Sequence, residues 1–267
     1  MKIAVLSDIH EGLNRKRTQT DIMVLLETWM STHQPDVFII SGDLTAKPDK
    51  SLKLLQQLQG NLPDVKILFV HGNHDIYHDD SEHAYETLLE FEGNLGNGPV
   101  ELGNDWVVIG DGGWYDYSFG IEGYSHEAFN CGTYGDITWP DKTYAHWRGS
   151  DITETNRQIY RIERWLRAYQ RKNILMVTHV VPFSKYVVRK DDHNWDFFNA
   201  MMGSSRFGEL AQKYKVKKYI FGHIHYRYHD HYQGIEVICN PLGYFPSEWK
   251  FETAEEEIHS SIKVIEI

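Results

Sequence analysis

Six short apolar runs rich in isoleucine and valine are spread over the first 221 positions, and each gives way abruptly to polar residues. They are Ile3 to Leu6, Val37 to Ile40, Ile67 to Val70, Trp106 to Ile109, Ile174 to Val177 and Tyr219 to Phe221. Short apolar runs of this kind, each ending in polar residues, read as strands. Between them, Thr20 to Thr32, Ser51 to Leu58, Ser81 to Phe91, Thr153 to Tyr169 and Arg206 to Tyr214 space their apolar residues three and four apart, which is the helical period. Strands alternating with helices predict an α/β fold. In the last third, Tyr226 to Tyr232, Ile235 to Cys239 and Ser261 to Ile267 read as strands. The first two are joined by Gln233-Gly234 with no helix between, which predicts an antiparallel or mixed region.

The stretch from Gly112 to Gly149 breaks the pattern. It holds ten aromatic residues in 38 positions and has no clear period. It is long for a connection without a role, so a lid or cap excursion is expected at about 112–150 within one domain spanning 1–267. The chain's 267 residues and its composition, 41% hydrophobic and 24% charged, are ordinary for a single globular unit without internal repeats. A net charge of -11 argues against a partner bound by neutralising many phosphates, so nucleic acid is not the expected partner. Cys131 and Cys239 are too few for a disulfide framework. The run after Met1 is too short for a secretory leader, and no stretch reaches the length of a membrane span. A cytoplasmic location with no membrane partner is the default expectation.

Chemistry gathers where the runs end. Asp8-Ile9-His10, Gly42-Asp43, Gly72-Asn73-His74-Asp75, His179 and Gly222-His223-Ile224-His225 follow predicted strands. Residues beyond the carboxyl ends of strands converge on one crevice in α/β sheets. In extended backbone, Asp8 with His10 and His223 with His225 would project to the same side. Gly42, Gly72 and Gly222 would let backbone pass close to a metal or a phosphate. Imidazoles, carboxylates and one amide without thiolates suit Mn, Fe or Zn better than Ca or Mg, and two such ions can clamp the oxygens of an in-line displacement at phosphorus.

The ordered series D-x-H, G-D, G-N-H-D, H and G-H-x-H, running from Asp8 to His225, resembles the calcineurin-like metallophosphoesterase superfamily. The resemblance implies a four-layer α/β/β/α sandwich with two mixed sheets. It implies two divalent metal ions, one held by Asp8, His10 and His225, the other by Asn73, His179 and His223, with Asp43 bridging. It gives His74 a catalytic role, stabilising the transition state or protonating the leaving alkoxide, while a metal-bridging hydroxide attacks. Many relatives carry an acid three residues after the bridging Asp to orient that histidine; here the position is Ala46. Either Asp75 or a residue from elsewhere must then fix the His74 tautomer, or His74 acts as a hydrogen-bond donor to phosphate. The donor role is the one expected. The protein-phosphatase signature is absent, and the pattern is closer to small-molecule phosphodiesterases and broad-specificity bacterial members.

The expected function is hydrolysis of a phosphodiester or phosphomonoester of a small molecule such as a nucleotide. The alternatives are a DNA or RNA nuclease built on the same core and a non-catalytic metal-binding scaffold. Only 42 residues, mostly strand-like, follow His225. That leaves little room for the extra domain or basic groove of a nuclease, and the complete ligand series argues against the scaffold. His33, His71, His78, His83, His126, His193, His229, His231 and His259 match no motif and read as surface or hydrogen-bonded residues, with His146 set apart at the end of the lid. Lys185, Arg189, Lys190 and Gly203-Ser204-Ser205 are secondary candidates for phosphate, read equally as a solvated charge run and a helix N-cap. The aromatic excursion either stacks an organic group or forms a small accessory core.

Overall fold

A computed structural model describes residues 1–190 and 193–267, the side chains of 193 and 194 excepted. The expected surface position of His193 therefore lies outside the described side chains. All six apolar runs are strands. In chain order the strands are β1 (Lys2–Leu6), β2 (Val37–Ser41), β3 (Lys66–Val70), β4 (Val100–Glu101), β5 (Trp106–Gly110), β6 (Thr133–Tyr134), β7 (Ile137–Thr138), β8 (Asn173–Val177), β9 (Lys218–Phe221), β10 (Tyr228–Tyr232), β11 (Ile235–Cys239) and β12 (Lys263–Glu266). One sheet has the order β12-β1-β2-β3 and the other β10-β11-β9-β8-β5-β4. Strands β1, β2 and β3 are mutually parallel, as are β5, β8, β9 and β11, whereas β12, β10 and β4 pair antiparallel at the edges.

The strands explain why their sequences are apolar throughout. Ile3, Val5, Ile39, Leu68 and Val70 of the first sheet pack against Val108, Leu175, Val177, Ile220 and Ile238 of the second, forming one layer between the sheets. The alternate residues point outward to helices. Ala4, Leu6, Phe38, Ile40 and Phe69 meet Met23, Leu26, Met30, Leu55, Leu88 and Ile258 on one side. Val107, Ile109, Ile174, Met176 and Tyr219 meet Ile159, Ile162, Leu166, Phe207 and Leu210 on the other. With both faces of each strand covered, hydrophobic continuity replaces alternation, and the layering is helix, sheet, sheet, helix.

The helices start where short polar side chains satisfy their first amides. Asp21 accepts from Met23 and Val24 ahead of Ile22–His33, Ser150 accepts from Thr153 ahead of Asp151–Ala168, and Ser204 accepts from Arg206 ahead of Ser205–Lys213. Ser204 is thus the helix cap of the two readings. Two helices lie outside the helical segments expected. Glu11–Thr18 starts directly after His10, and Ala254–Ser261 corrects the expectation that the residues after His225 are mostly strand-like. The second carries three glutamates in its first turn behind a Thr253 cap, a signal hidden by its weak apolar stripe.

Residues 112–149 contain helices His126–Cys131 and Asp141–Tyr144 and the β6-β7 hairpin. Trp114, Tyr115, Tyr117 and Phe129 are buried with Phe197 and Phe198 as an extension of the first sheet's helical layer. Most of the excursion's aromatics therefore form an accessory core, and Trp139 is the one that reaches the cavity described below.

Candidate metal centre

Because the parallel strands of both sheets run the same way, the ends of β1, β2, β3, β8 and β9 deliver the sequence clusters to one place. The sheets are tied together there by Ser7 N donating to Asn240 O (3.0 Å) and Leu242 N to Ser7 O (2.9 Å), while Asp8 N to Gly42 O (3.0 Å) and Gly222 N to His179 O (2.9 Å) join neighbouring strand ends within each sheet. Asp8, His10, Asp43, Asn73, His179, His223 and His225 all lie in this cluster, and His74 stands at its edge.

The way the paired motifs converge differs from the extended geometry expected. Asp8, His10, Asp43, His223 and His225 all have left-handed backbone, with φ of 50°, 44°, 58°, 73° and 53°. β1 and β9 end before the motifs begin, so each D-x-H or H-x-H forms a tight turn rather than a strand extension. Left-handed backbone costs a residue with a side chain free energy, and it persists only where the surroundings enforce it; such strain concentrates at functional sites. Close approach accounts for the glycines. A Cβ on Gly42 would collide with the His179 ring and fall 2.8 Å from Gly72 N, and one on Gly72 would sit 2.5 Å from Asp43 N.

Two subclusters emerge. In the first, His225 Nε2 is 3.3 Å from Asp8 Oδ1 and 3.1 Å from His10 Nε2. In the second, Asn73 Oδ1 is 3.1 Å from His179 Nε2 and 3.0 Å from His223 Nδ1. Asp43 lies between them, with Oδ2 3.8 Å from His10 Nε2 and 3.5 Å from His179 Nε2. Asp8-His10-His225 and Asp8-Asp43-His179 each bring ligand atoms within 4.8 Å of one another. His10-Asp43-His74 does so as well, with His74 Nε2 3.9 Å from Asp43 Oδ2. His74 is 25% exposed, unlike the buried His10 and Asp43; it lines the cavity, with its ring packed on His10 and Tyr77.

The second layer of contacts fixes which ring nitrogens face inward. His179 Nδ1 lies 2.9 Å from the Ser41 carbonyl, which requires a proton on Nδ1 and leaves Nε2 toward Asn73. His225 Nδ1 lies 2.7 Å from Glu248 Oε2, which orients that ring in the same way. Outer partners of this kind set the tautomer and basicity of metal-binding histidines. The cluster also attracts positive charge. Burial opposes ionisation of His225 and His179, yet Asp8 and Glu248 lift His225 to about 10, and Asp43 and Asp8 lift His179 to about 9. Burial works against the Asp8 carboxylate too, but His225 brings it down to about 2. Burial pushes His223 down to about 3 and holds His10 well below the usual histidine range, so both keep neutral lone pairs. Carboxylates that draw in cations, beside neutral imidazoles and an amide oxygen, are a donor set that fits divalent metal ions.

Sequence reasoning left Asp75 and a residue from elsewhere as alternatives for orienting His74, and the structure gives Asp75 other work. Its carboxylate is buried and accepts from Asp43 N (2.7 Å), Leu44 N (3.1 Å), Thr45 N (3.0 Å), Gly72 N (2.9 Å) and Ser51 Oγ (2.7 Å). Asp75 thus shapes the loop carrying Asp43. Burial and the Asp43 charge raise it to about 6 despite those donors. Glu248 and Asp141 carry no motif and were missed; each is recognisable only through its partner in space.

Beside the cluster lies a cavity of about 680 Å³ whose lining includes His74, Tyr77, Trp139, Trp195, Tyr226 and Tyr244. Of the secondary phosphate candidates, Lys190 lines it, with Nζ 3.6 Å from the Trp195 ring centre, whereas Lys185 pairs with Asp230. His71 is buried, with Nδ1 3.2 Å from the Gly72 carbonyl, the hydrogen-bonded place expected of an unassigned histidine.

Fold and site together define a two-sheet α/β sandwich protein with a metal-type donor set at its strand ends. The chain belongs to the calcineurin-like phosphoesterase family, whose model matches residues 1–227. It is 34% identical over 90 residues to a Bos taurus transmembrane protein with metallophosphoesterase domain, a match covering 33% of this chain and 20% of that protein. The chain thus spans about a fifth of that relative's length. Among solved structures, the fold is similar to that of phosphopantetheinyl hydrolase from Mycobacterium tuberculosis, with a TM-score of 0.69, 15% identity and coverage of 99% of this chain and 95% of that one. It is also similar to a dimetal phosphatase from Danio rerio, with a TM-score of 0.55, 13% identity and coverage of 90% and 86%. No helix among the described residues is long and apolar enough to cross a membrane.

Proposed function

We propose that this chain hydrolyses phosphate esters of small molecules, phosphodiesters or phosphomonoesters such as those of nucleotides, at a centre of two divalent ions. Asp8, His10 and His225 would hold one ion, Asn73, His179 and His223 the other, and Asp43 both. Mn, Fe or Zn, alone or as a mixed pair, suits these donors. When bound, such ions polarise phosphoryl oxygens and supply a strong nucleophile from water near neutral pH. The observation that carries the reading is the gathering of Asp8, His10 and His225, whose ligand atoms all lie within 4.8 Å of one another, beside a second such group of Asp8, Asp43 and His179.

The remaining work belongs to the chain's own residues. Glu248 and the Ser41 carbonyl hold the His225 and His179 rings in one tautomer, and Asp75 holds the Asp43 loop. His74 faces the cavity with an imidazole N–H free to donate to a phosphate oxygen or to the departing alkoxide, a standard use of histidine. The walls formed by Trp139, Trp195 and Tyr226 offer apolar faces to an organic leaving group. The cavity's size suits a small molecule, and the charge of -11 gives no support to a nuclease.

The test is a substrate screen resolved by metal, comparing monoesters, linear diesters, cyclic nucleotides and single- and double-stranded DNA with Mn, Fe or Zn, for wild type and Asp43→Ala. Turnover of small esters that Asp43→Ala abolishes is expected. Full activity in that variant would sink the bridged centre, cleavage of DNA alone would favour the nuclease, and uptake of fewer than two ions would revive the scaffold reading.

A further inference from the structure

Asp141 lies in the wall of the cavity, on the short helix Asp141–Tyr144 of the aromatic excursion, far in sequence from every motif. It is buried, and its carboxylate accepts three hydrogen bonds. Asn73 Nδ2 (2.7 Å) and Tyr77 OH (2.8 Å) donate to Oδ1, and Trp139 Nε1 (2.9 Å) donates to Oδ2. All three donors are neutral, and among the described residues no lysine or arginine pairs with it. A buried carboxylate without a cationic partner is costly unless positive charge lies nearby. The place for that charge is the far side of Asn73, where Oδ1 faces His179 and His223.

We propose that Asp141 is a positioning residue for the ion-binding set of Asn73, His179 and His223, fixing the Asn73 amide so that its oxygen faces the two histidines. The inference rests on the dinuclear reading above. An amide has two faces of nearly equal size, and only one of them is a metal ligand. Reversing Asn73 would set its oxygen 2.7 Å from the Asp141 carboxylate, acceptor against acceptor, and would turn an NH₂ toward the cation. Asp141 therefore selects the ligating orientation and adds negative charge behind it.

Its own placement is secured by backbone contacts that join the excursion to the loop after His74. His78 N donates to Tyr144 O (2.9 Å) and Ser81 N to His146 O (3.1 Å). Trp139 and Tyr77, on either side of this junction, both line the cavity wall.

The experiment titrates protein stripped of metal with Mn²⁺ by calorimetry. Asn73→Ala identifies which of the two binding events belongs to its set. Asp141→Asn, which keeps the shape but lets the new amide donate to a reversed Asn73, is expected to weaken that event by about 10- to 100-fold, the range for lost outer-shell partners. The other event should stay within about twofold, and no further loss should appear when Asp141→Asn is added to Asn73→Ala, since directly coupled groups are not additive. Unchanged affinity of the Asn73 event, or equal loss at both, overturns the proposal while leaving the dinuclear reading intact. Wild type that takes up fewer than two ions overturns both. Trp139→Phe, run in parallel, removes one donor without touching the carboxylate and should weaken the same event several-fold. If Asp141→Asn does not fold, an unchanged Asn73 event in Trp139→Phe overturns the proposal.

Discussion

Replacing Gly72 by Ala adds one methyl group at the point where the β3 loop crosses the β2 loop. The new Cβ would lie 2.5 Å from Asp43 N and 2.6 Å from Asp43 Cγ, where ordinary contact begins at 3.4 Å. The Asp43 backbone must therefore retreat by about 0.9 Å to restore van der Waals contact. It cannot do so freely, because Asp43 N is held by Asp75 at 2.7 Å, Gly42 O by Asp8 N at 3.0 Å and Asp43 O by His10 N at 2.9 Å. Overpacking of this kind costs about 1–3 kcal/mol, or roughly 2–5 °C in Tm for a chain this long. A misplacement near 1 Å costs about 100-fold in rate, and here it moves the shared carboxylate itself. The assay pairs kcat/KM on a chromogenic phosphodiester with Mn²⁺ stoichiometry and a thermal melt. Gly60→Ala is the control: it lies in the helix Pro48–Asn61 with nothing within 4 Å of its added Cβ. It should raise stability by about 0.5–1 kcal/mol with activity unchanged. Gly72→Ala with wild-type kcat/KM and two bound ions would refute the idea that close backbone approach at Asp43 is what the glycine provides.

Glu248→Ala removes the acceptor that orients His225 and should weaken the Asp8-His10-His225 ion by about 10- to 100-fold, with the fold intact by circular dichroism; an unaltered Mn²⁺ titration would count against it. Asp75→Asn turns one carboxylate oxygen, and the acceptors it provides for loop amides, into a donor. With each charge-assisted bond contributing about 1.5–3 kcal/mol, losing two should cost at least about 3 kcal/mol by urea denaturation, and a loss below about 1 kcal/mol would mean that the loop holds its shape without Asp75. Chelation should lower the melting temperature of wild type, since saturating a site at about 100 times its Kd adds about 2.7 kcal/mol. In Asp43→Ala the metal-dependent shift should shrink, and an equal shift in both proteins would place the ions elsewhere.

Much of the site is legible in the chain because its donors come in short motifs at strand ends. Asp8 with His10, and His223 with His225, can be read from spacing, although the reason they converge is a left-handed turn rather than an extended strand. Spacing reports proximity and not backbone conformation. The residues that escaped notice act across the fold. Glu248 reaches His225 over 23 positions and Asp141 reaches Asn73 over 68. A lone acid in an irregular stretch carries no period and no partner that a linear reading can supply. The strands were similarly plain because burial on both faces leaves uninterrupted apolar runs, whereas the helix Ala254–Ser261 was hidden by its weak apolar stripe despite the Thr253 cap and the acidic first turn.

The vacant position at Ala46 shows how the fold redistributes a role. Position 46 carries no acid, and Asp75 is engaged with the amides of the Asp43 loop rather than with His74. The acid nearest in function comes from the excursion. Asp141 holds Tyr77, and the Tyr77 ring packs 4.6 Å from the His74 ring, centre to centre. His74 packs against Tyr77 and His10, and among the described residues no carboxylate stands within hydrogen-bond distance of its ring nitrogens, the nearest being Asp43 Oδ2 at 3.9 Å. If packing is what steadies it, Tyr77→Leu, which keeps an apolar side chain but loses the ring face and the hydroxyl, should lower kcat by about 10-fold or more, by analogy with the 10²–10⁴-fold contribution of a positioned acid. Tyr77→Phe, which keeps the ring, should retain most of kcat once Mn²⁺ is saturating. Equal losses in the two variants would show that the hydroxyl bond to Asp141, and not the ring, is what His74 depends on.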